Sequence, residues 1–465
     1  MINPTSDRPS RPVTARTAPP TFCTLPGPAY DFSTVTDEVV DRAVLGRTWA
    51  GMVVEQALLT RGNRQYVGFY DTARRMVVAG RTLGDASEWT YQVLPTTLGW
   101  DSHNHIALGL DRSGALHVSG NMHNDPLVYF RSAPGGDVTT LRRVTNMIGP
   151  RTERSVTYPQ FLNRADGSLV FTHRDGGSGD GVTYANLYHE ESAAWTRLVD
   201  RPLFDGAGSA ADPAATWSAY FQGPTTGPDG RFHLLWVWRG APDAATNSML
   251  SYASSTDLVN WTDHRGAPLA TPFTYGGGDV VDPVPERAGL LNGNAKIGFD
   301  ADGRILITYH KYDRAGNSQI YAARPGQGSW EIRQISDWRG RWDFGGFGTI
   351  NFHVALLGSR VLRNGHIQVD FVGYGRPTSI ILDSDLTPIT QCPTPPLPAQ
   401  AATVRGDHPG LRVNIGHDSG DGATTATPRG RYLLRWESLD ANRDQPRDAW
   451  PTQGSEMEVL LLGRR

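Results

Sequence analysis

Apolar and polar positions alternate in short bursts along this chain, and each burst follows a glycine set in a polar turn. The pattern stands as RGNRQYVGFY around Gly62 and DRSGALHVSG around Gly114. It returns as RADGSLVFTH around Gly167, GPDGRFHLLW around Gly230, DADGRILITY around Gly303, LRNGHIQVDF around Gly365 and PRGRYLLRWE around Gly430. The seven glycines are 52, 53, 63, 73, 62 and 65 residues apart. Period-two alternation, as in LHVSG and FHLLWVW, marks a half-buried strand. A glycine, often behind Asp or Asn, supplies the positive φ of a tight hairpin. Each copy therefore reads as a hairpin turn feeding a strand.

A second pattern follows most copies: an apolar strand, a polar loop, then tryptophan. Examples are VAGRTLGDASEW ending at Trp89, LYHEESAAW at Trp195, SYASSTDLVNW at Trp261 and YAARPGQGSW at Trp330. The Ser-Thr-Asp loop at 255–257 resembles a degenerate Asp-box, a structural turn of sialidase-type propellers. Seven units of about four strands each predict an all-β protein, a seven-bladed β-propeller. A repeat this long does not fit the short rungs of a β-helix. A large β-sandwich is the other alternative, and long helical patterns are absent. Residues 1–25 are expected to form a flexible arm and 26–465 a single propeller domain. The apolar stretch EMEVLLLG (456–463) should complete a blade.

Composition narrows the partners. The 465 residues are 20% charged and carry a net charge of −3, so no basic field invites nucleic acid or membrane. No apolar run reaches transmembrane length. Gly 52 and Pro 32 suit a fold with many turns. Two cysteines, Cys23 and Cys392, exclude a disulfide framework or a Cys-rich zinc site and leave their own pairing open. Lys296 and Lys311 are the only lysines. Met1–Pro20 lacks the apolar core of a signal peptide, which predicts a cytoplasmic protein unless a leader was removed or export is non-classical. A monomer is expected.

The densest chemistry lies in DSHNHIALGLDRSGALHVSGNMHN, residues 101–124. His117 alternates with Leu116 and Val118 inside a strand and reads as packed. His103 and His123 each precede Asn and bracket a hairpin unit, so antiparallel strands would carry both to one rim. VTYPQF follows, with Tyr158, and then FTHRDGGSGDG, where Arg174 ends a strand before a glycine-rich loop. Tyr220, Arg239, His310, Lys311 and Arg341 each sit just outside a predicted strand. Arginines, histidines and tyrosines spread over successive blades point to a ligand bearing a carboxylate. A cation that neutralises the carboxylate, a base for the α-hydrogen and an acid for the departing oxygen are the parts of β-elimination on a uronate sugar.

These motifs resemble the BNR-repeat polysaccharide lyases. The likeness rests on D-x-H-N with a second histidine 20 residues on, T-Y-P-x-F, and an arginine near R-x-G-x-S-G, and it runs from about residue 45 to 355. That family includes ulvan lyases and rhamnose–glucuronate lyases acting on gum arabic and arabinogalactan side chains. The resemblance implies seven-bladed propellers that cleave rhamnose–uronate linkages by β-elimination. It implies His103, His123 and Tyr158 at the cleavage site, with acid and base roles shared among them, and Arg174 neutralising the uronate. Tyr220 and Arg239, then His310, Lys311 and Arg341, would bind sugar. Ulvan lyases of this type hold a structural zinc on Cys and His, and no cysteine lies between 23 and 392 here, so no metal and no cofactor is expected. Related propeller rhamnosidases use a histidine early in the chain, whereas His103 is the first here. Both departures favour a rhamnose–glucuronate lyase over an ulvan endolyase.

Two other classes compete. A glycoside hydrolase needs two carboxylates flanking its pocket, for which Asp101, Asp175 and Asp343 are candidates. Asp101 and Asp175 read better as turn or supporting groups, and the sialidase Arg-Ile-Pro motif is missing. A non-catalytic carbohydrate-binding propeller is the third reading.

Overall fold

A computed structural model describes residues 14–15, 38–84, 88–178, 181–207, 216–362, 364–394, 397–420 and 430–463. The chain divides into two compact units, one of 32–177, 181–205 and 395–465, the other of 1–31, 178–180 and 206–394. Both are built of small antiparallel sheets, and the fold is the all-β, seven-bladed β-propeller that the repeat predicts.

The first unit holds four blades. Blade 1 is Ala57–Arg61, Arg64–Tyr70, Arg75–Thr82 and Thr90–Thr97. Blade 2 is Ile106–Leu110, Leu116–Gly120, Tyr129–Arg131 and Arg142–Val144. Blade 3 is Val156–Asn163, Leu169–Asp175, Val182–His189 and Ala194–Arg197, with the short strand His123–Asp125 added at its edge. Blade 7 joins the two ends of the sequence: Glu38–Thr48 pairs with Ser455–Gly463, then Gly430–Ser438 and Arg412–His417 follow. The apolar stretch at 456–463 thus completes a blade, as its pattern implies.

The second unit holds three blades. Blade 4 is Ser218–Thr226, Phe232–Arg239, Asn247–Ser255 and Trp261–Thr262, with Pro268–Leu269 and Asp279–Asp282 attached. Blade 5 is Lys296–Phe299, Ile305–Tyr312, Ser318–Pro325 and Trp330–Gln334. Blade 6 is Val354–Val361, Ile367–Gly373, Arg376–Leu382 and Pro388–Pro393. Cys392 in its last strand is disulfide-bonded. Cys23, the only other cysteine, lies outside the described residues, as does the expected arm except for Thr14–Ala15, which pairs with Trp338–Arg339.

Six of the seven repeat glycines sit at the hairpin between a blade's first and second strands. Six have positive φ: 57° at Gly62, 74° at Gly114, 81° at Gly167, 73° at Gly230, 75° at Gly303 and 82° at Gly365. Gly430 differs, because it opens the strand itself. Three residues past the glycine, blades 2 and 4 bury a histidine in the same way. His117 bonds Tyr129 Oη at 2.7 Å and Asp111 at 3.2 Å, while His233 bonds Tyr252 Oη at 2.7 Å and Asp229 at 3.1 Å. These fully partnered groups satisfy the polar interior of a blade, and His117 is the packed histidine its alternation suggests. The loop at 255–257 is likewise structural. Asp257 Oδ1 accepts from the backbone N–H of Val259 and Asn260 at 2.9 and 2.7 Å, and Trp261 beyond it is buried.

Candidate active site

The site assembles within the first unit from two connections and one irregular strand. Ile106 lies opposite Gly120 in the blade 2 hairpin, so the residues before one and after the other emerge at the same end. That register brings His103 and His123 together, with ring centroids 4.0 Å apart and planes 27° from parallel. Asp101 lies across both rings. Its Oδ1 meets His103 Nδ1 at 2.7 Å, and its Oδ2 meets His123 Nδ1 at 2.5 Å. Asp101 Oδ1 also accepts the His103 backbone N–H at 2.9 Å, an Asx-type turn that fixes the loop. Burial opposes ionisation of this carboxyl, but hydrogen bonds from His103 and His123 and their charge outweigh it and hold Asp101 well below the usual carboxylate range. With both Nδ1 atoms on the carboxylate, Nε2 is the ring nitrogen of each histidine that Asp101 does not hold.

Tyr158 comes from the first strand of blade 3. There the register passes from Thr157↔Arg174 to Gln160↔Thr172, so Tyr158 and Pro159 together oppose the single residue His173. This is a β-bulge, a device that re-aims a side chain. Tyr158 takes φ 57°, a left-handed conformation that a bulky residue adopts only under constraint. His105 supplies part of the constraint: its Nε2 meets the Pro159 carbonyl at 3.1 Å and its Nδ1 meets the His103 carbonyl at 3.1 Å. The Tyr158 ring lies 6.1 Å from that of His103 and 6.4 Å from that of His105. Arg174, on the neighbouring strand, places its guanidinium 4.9 Å from the Tyr158 ring centre. The arginine is only 1% exposed. Its aliphatic stem runs against Gly181, where an added Cβ would lie 2.6 Å from Cδ and 2.8 Å from Cγ.

The sequence singled out His103, His123, Tyr158 and Arg174, and these four meet. Asp101 and His105 were visible there only as a turn group and a member of the histidine cluster. Their spacing carries the signal, since Asp at i−2 of a histidine makes the turn. Asp444, bonded to Ser102 from the far end of the chain, had no local signal at all.

The remaining candidates lie in the second unit. Tyr220 bonds Ser178 Oγ at 2.6 Å, and the Arg239 guanidinium lies 5.4 Å from its ring, a pairing that repeats Tyr158 and Arg174 in the next blade. Arg239 donates to the carbonyls of Ala241 and Pro242, so its charge is spent on its own loop. His310 lies inside its blade rather than at a strand end. It is as buried as Arg174, bonds the Gly289 carbonyl at 2.7 Å and is pushed down to about 4 by burial. Lys311 is paired with Asp282 at 2.5 Å and lies 4.6 Å over Tyr321, beside a recess of about 520 Å³. Arg341 stacks 3.9 Å over Tyr312 and pairs with Asp343 at 3.1 Å.

Two chemistries can be tested against this geometry. Asp101, His103 and His123 could each offer one ligand atom to a cation, all within 4.8 Å of one another. A zinc-like ion about 2.1 Å from each ligand would hold N and O roughly 3 Å or more apart; the observed 2.5 and 2.7 Å are hydrogen-bond lengths. A hydrolase needs a carboxyl held protonated as acid. Asp101 is pushed the opposite way, Asp175 accepts the Ser155 N–H at 3.2 Å, and Asp343 is occupied by Arg341.

The chain belongs to the BNR repeat-containing family, whose pattern matches residues 64–338. No curated protein matches the sequence. Among solved structures, the chain is similar to the polysaccharide lyase Uly1, at 13% identity and a TM-score of 0.61 over 90% of this chain and 92% of that one. It is also similar to a PL25 ulvan lyase bound to -[GlcA(1-4)Rha3S]-, at 12% identity and a TM-score of 0.58 over 91% and 96% of the two chains. At such identities the likeness establishes the propeller fold.

Proposed function

We propose that the protein is a polysaccharide or oligosaccharide lyase that cleaves a rhamnose–uronate linkage by β-elimination. The observation that carries this reading is the meeting of His103, His123, Tyr158 and Arg174, with His103 packed against His123 and Arg174 against Tyr158. The solved relatives include lyases, one of them bound to a glucuronate–rhamnose chain, which supports the class.

The chemistry follows from the parts. The C5 hydrogen of a uronate is acidic only when its carboxylate charge is offset, which is the role of Arg174. A base, Tyr158 or a neutral imidazole, takes the C5 proton as the C4–C5 double bond forms. The C4–O bond breaks, its electron pair leaves with the oxygen, and a protonated imidazole supplies the proton. Arg174 is covered by Tyr158 on one side and the glycine loop on the other, so positive charge is held in a low-dielectric setting where it stabilises developing negative charge strongly. The L-rhamnose-α-1,4-D-glucuronate linkage is preferred over ulvan, because no cysteine lies between 23 and 392 to build the ulvan-lyase zinc centre.

The test is the ultraviolet absorbance of the conjugated enoate with gum arabic and, separately, ulvan, in chelator. A rise with gum arabic and free rhamnose, abolished in Tyr158→Phe and Arg174→Ala, supports the reading. A rise with ulvan alone moves the substrate to ulvan. Reducing sugar without enoate means hydrolysis and overturns it.

A further inference from the structure

The two histidines are not equivalent, because a second carboxylate meets only one of them among the described residues. Asp444 Oδ2 lies 3.7 Å from His103 Nδ1. Asp444 arrives from the segment joining Gly430–Ser438 to Ser455–Gly463 in blade 7, and its Oδ1 accepts the backbone N–H and the hydroxyl of Ser102, each at 3.0 Å. Arg443 and Asp444 take φ 55° and 58° in succession, a strained pair for residues that are not glycine. The same segment supplies Trp450, which packs edge-on against Trp100, centroids 5.1 Å apart. The segment therefore grips both neighbours of Asp101, Trp100 and Ser102.

We propose that Asp101 and Asp444 are positioning residues that divide the labour of the histidine pair: Asp101 holds both rings by Nδ1, and Asp444 makes His103 the protonated acid while His123 stays neutral. This rests on the lyase reading and deepens it. Two imidazolium rings 4.0 Å apart repel, which favours a single added proton on the pair. The second carboxylate draws that proton to His103. The other groups facing the pair do not reverse the bias. Asp125 accepts the backbone N–H of His123 at 3.2 Å rather than its ring, His105 bonds the His103 carbonyl, and the Arg174 charge lies against Tyr158. In the reaction His103 gives its Nε2 proton to the departing oxygen and ends neutral.

The experiment is proton NMR titration of the two imidazoles in the full chain, assigned with His103→Asn and His123→Asn, beside pH profiles of enoate formation. In Asp444→Asn the His103 titration moves to lower pH and that of His123 stays put. The alkaline limb of kcat moves the same way, and kcat at the optimum falls about tenfold at unchanged KM. Asp101→Asn loses kcat about a hundredfold or more with KM within about threefold, and Asp444→Glu restores part of the Asp444→Asn loss. A His103 titration unmoved in Asp444→Asn, or a shift on His123 instead, overturns the proposal. The NMR arm needs no substrate, so an absence of enoate beside the expected shift condemns the lyase reading alone. Should Asp101→Asn fail to fold, Asp444→Asn decides.

Discussion

Tyr158 carries the Arg174 guanidinium on its ring, 4.9 Å from the centre, and does so from a left-handed backbone. The bulge that causes this spends two residues of one strand against His173 of the next. Ring packing and hydroxyl chemistry are therefore separable. Tyr158→Phe keeps the ring and the cation contact, so the melting temperature should stay within about 2 °C while enoate formation falls about a hundredfold or more. Tyr158→Ala should lose both. Thermal melts beside the absorbance assay check it, and a Phe variant that keeps activity would remove Tyr158 from the chemistry.

Gly181 sets the position of Arg174. A methyl group there would meet Cγ and Cδ of Arg174 at 2.8 and 2.6 Å and the Gly177 carbonyl at 2.9 Å, all closer than real Cβ atoms come. Gly181→Ala should displace the arginine while leaving His103, His123 and Tyr158 chemically unchanged. Activity should fall about tenfold or more, with melting lowered by a few degrees at most. Activity equal to wild type would show that the placement of Arg174 is not critical.

How much of this was legible in sequence follows from locality. A glycine turn and the alternation after it are local, so the six hairpins at Gly62 through Gly365 and the strand opened by Gly430 could be counted directly. His103 and His123 were legible because one hairpin, Ile106 to Gly120, stands between them. Tyr158 and Arg174 lie on adjacent strands of one blade for the same reason. Asp444 was not legible. It is 341 positions from His103 and depends on a segment whose φ values no local pattern announces. The burial of His310 was not legible either, because its strand end reads as exposed whereas Trp342, Tyr312 and Phe344 pack around it.

Blade 7 makes a prediction about stability. Glu458 is fully buried and receives Arg42, Arg405 and Arg435, with Arg405 at 2.7 Å and Arg435 at 3.3 Å. Arg42 comes from Glu38–Thr48, the strand that joins the start of the fold to its end. Glu458→Gln removes the buried carboxylate that three arginines share and leaves the buried Arg435 with Glu437 alone; breaking a buried pair typically costs about 3–5 kcal/mol. Urea unfolding should show a loss of that order. A loss under about 1 kcal/mol would mean that Glu437 and Glu456 carry the arginines unaided.

Acid should destabilise the protein before its carboxylates titrate, through histidines buried neutral. Burial pushes His173 and His310 down to about 4, although each bonds a backbone carbonyl, Thr152 and Gly289 respectively, which pulls the other way. In the unfolded chain a histidine titrates near 6.5. Between those values the unfolded state binds more protons, so stability rises with pH through this window. The contribution is complete above about pH 6.5 and is lost as pH falls toward 4. At pH 5 each histidine should have cost on the order of 2 kcal/mol relative to pH 7.5. His310→Asn can still donate toward the Gly289 carbonyl but cannot titrate, so it should remove about half of the combined effect. Urea unfolding at pH 7.5 and 5 for both proteins measures this directly, and equal losses in the two would show that His310 takes no part.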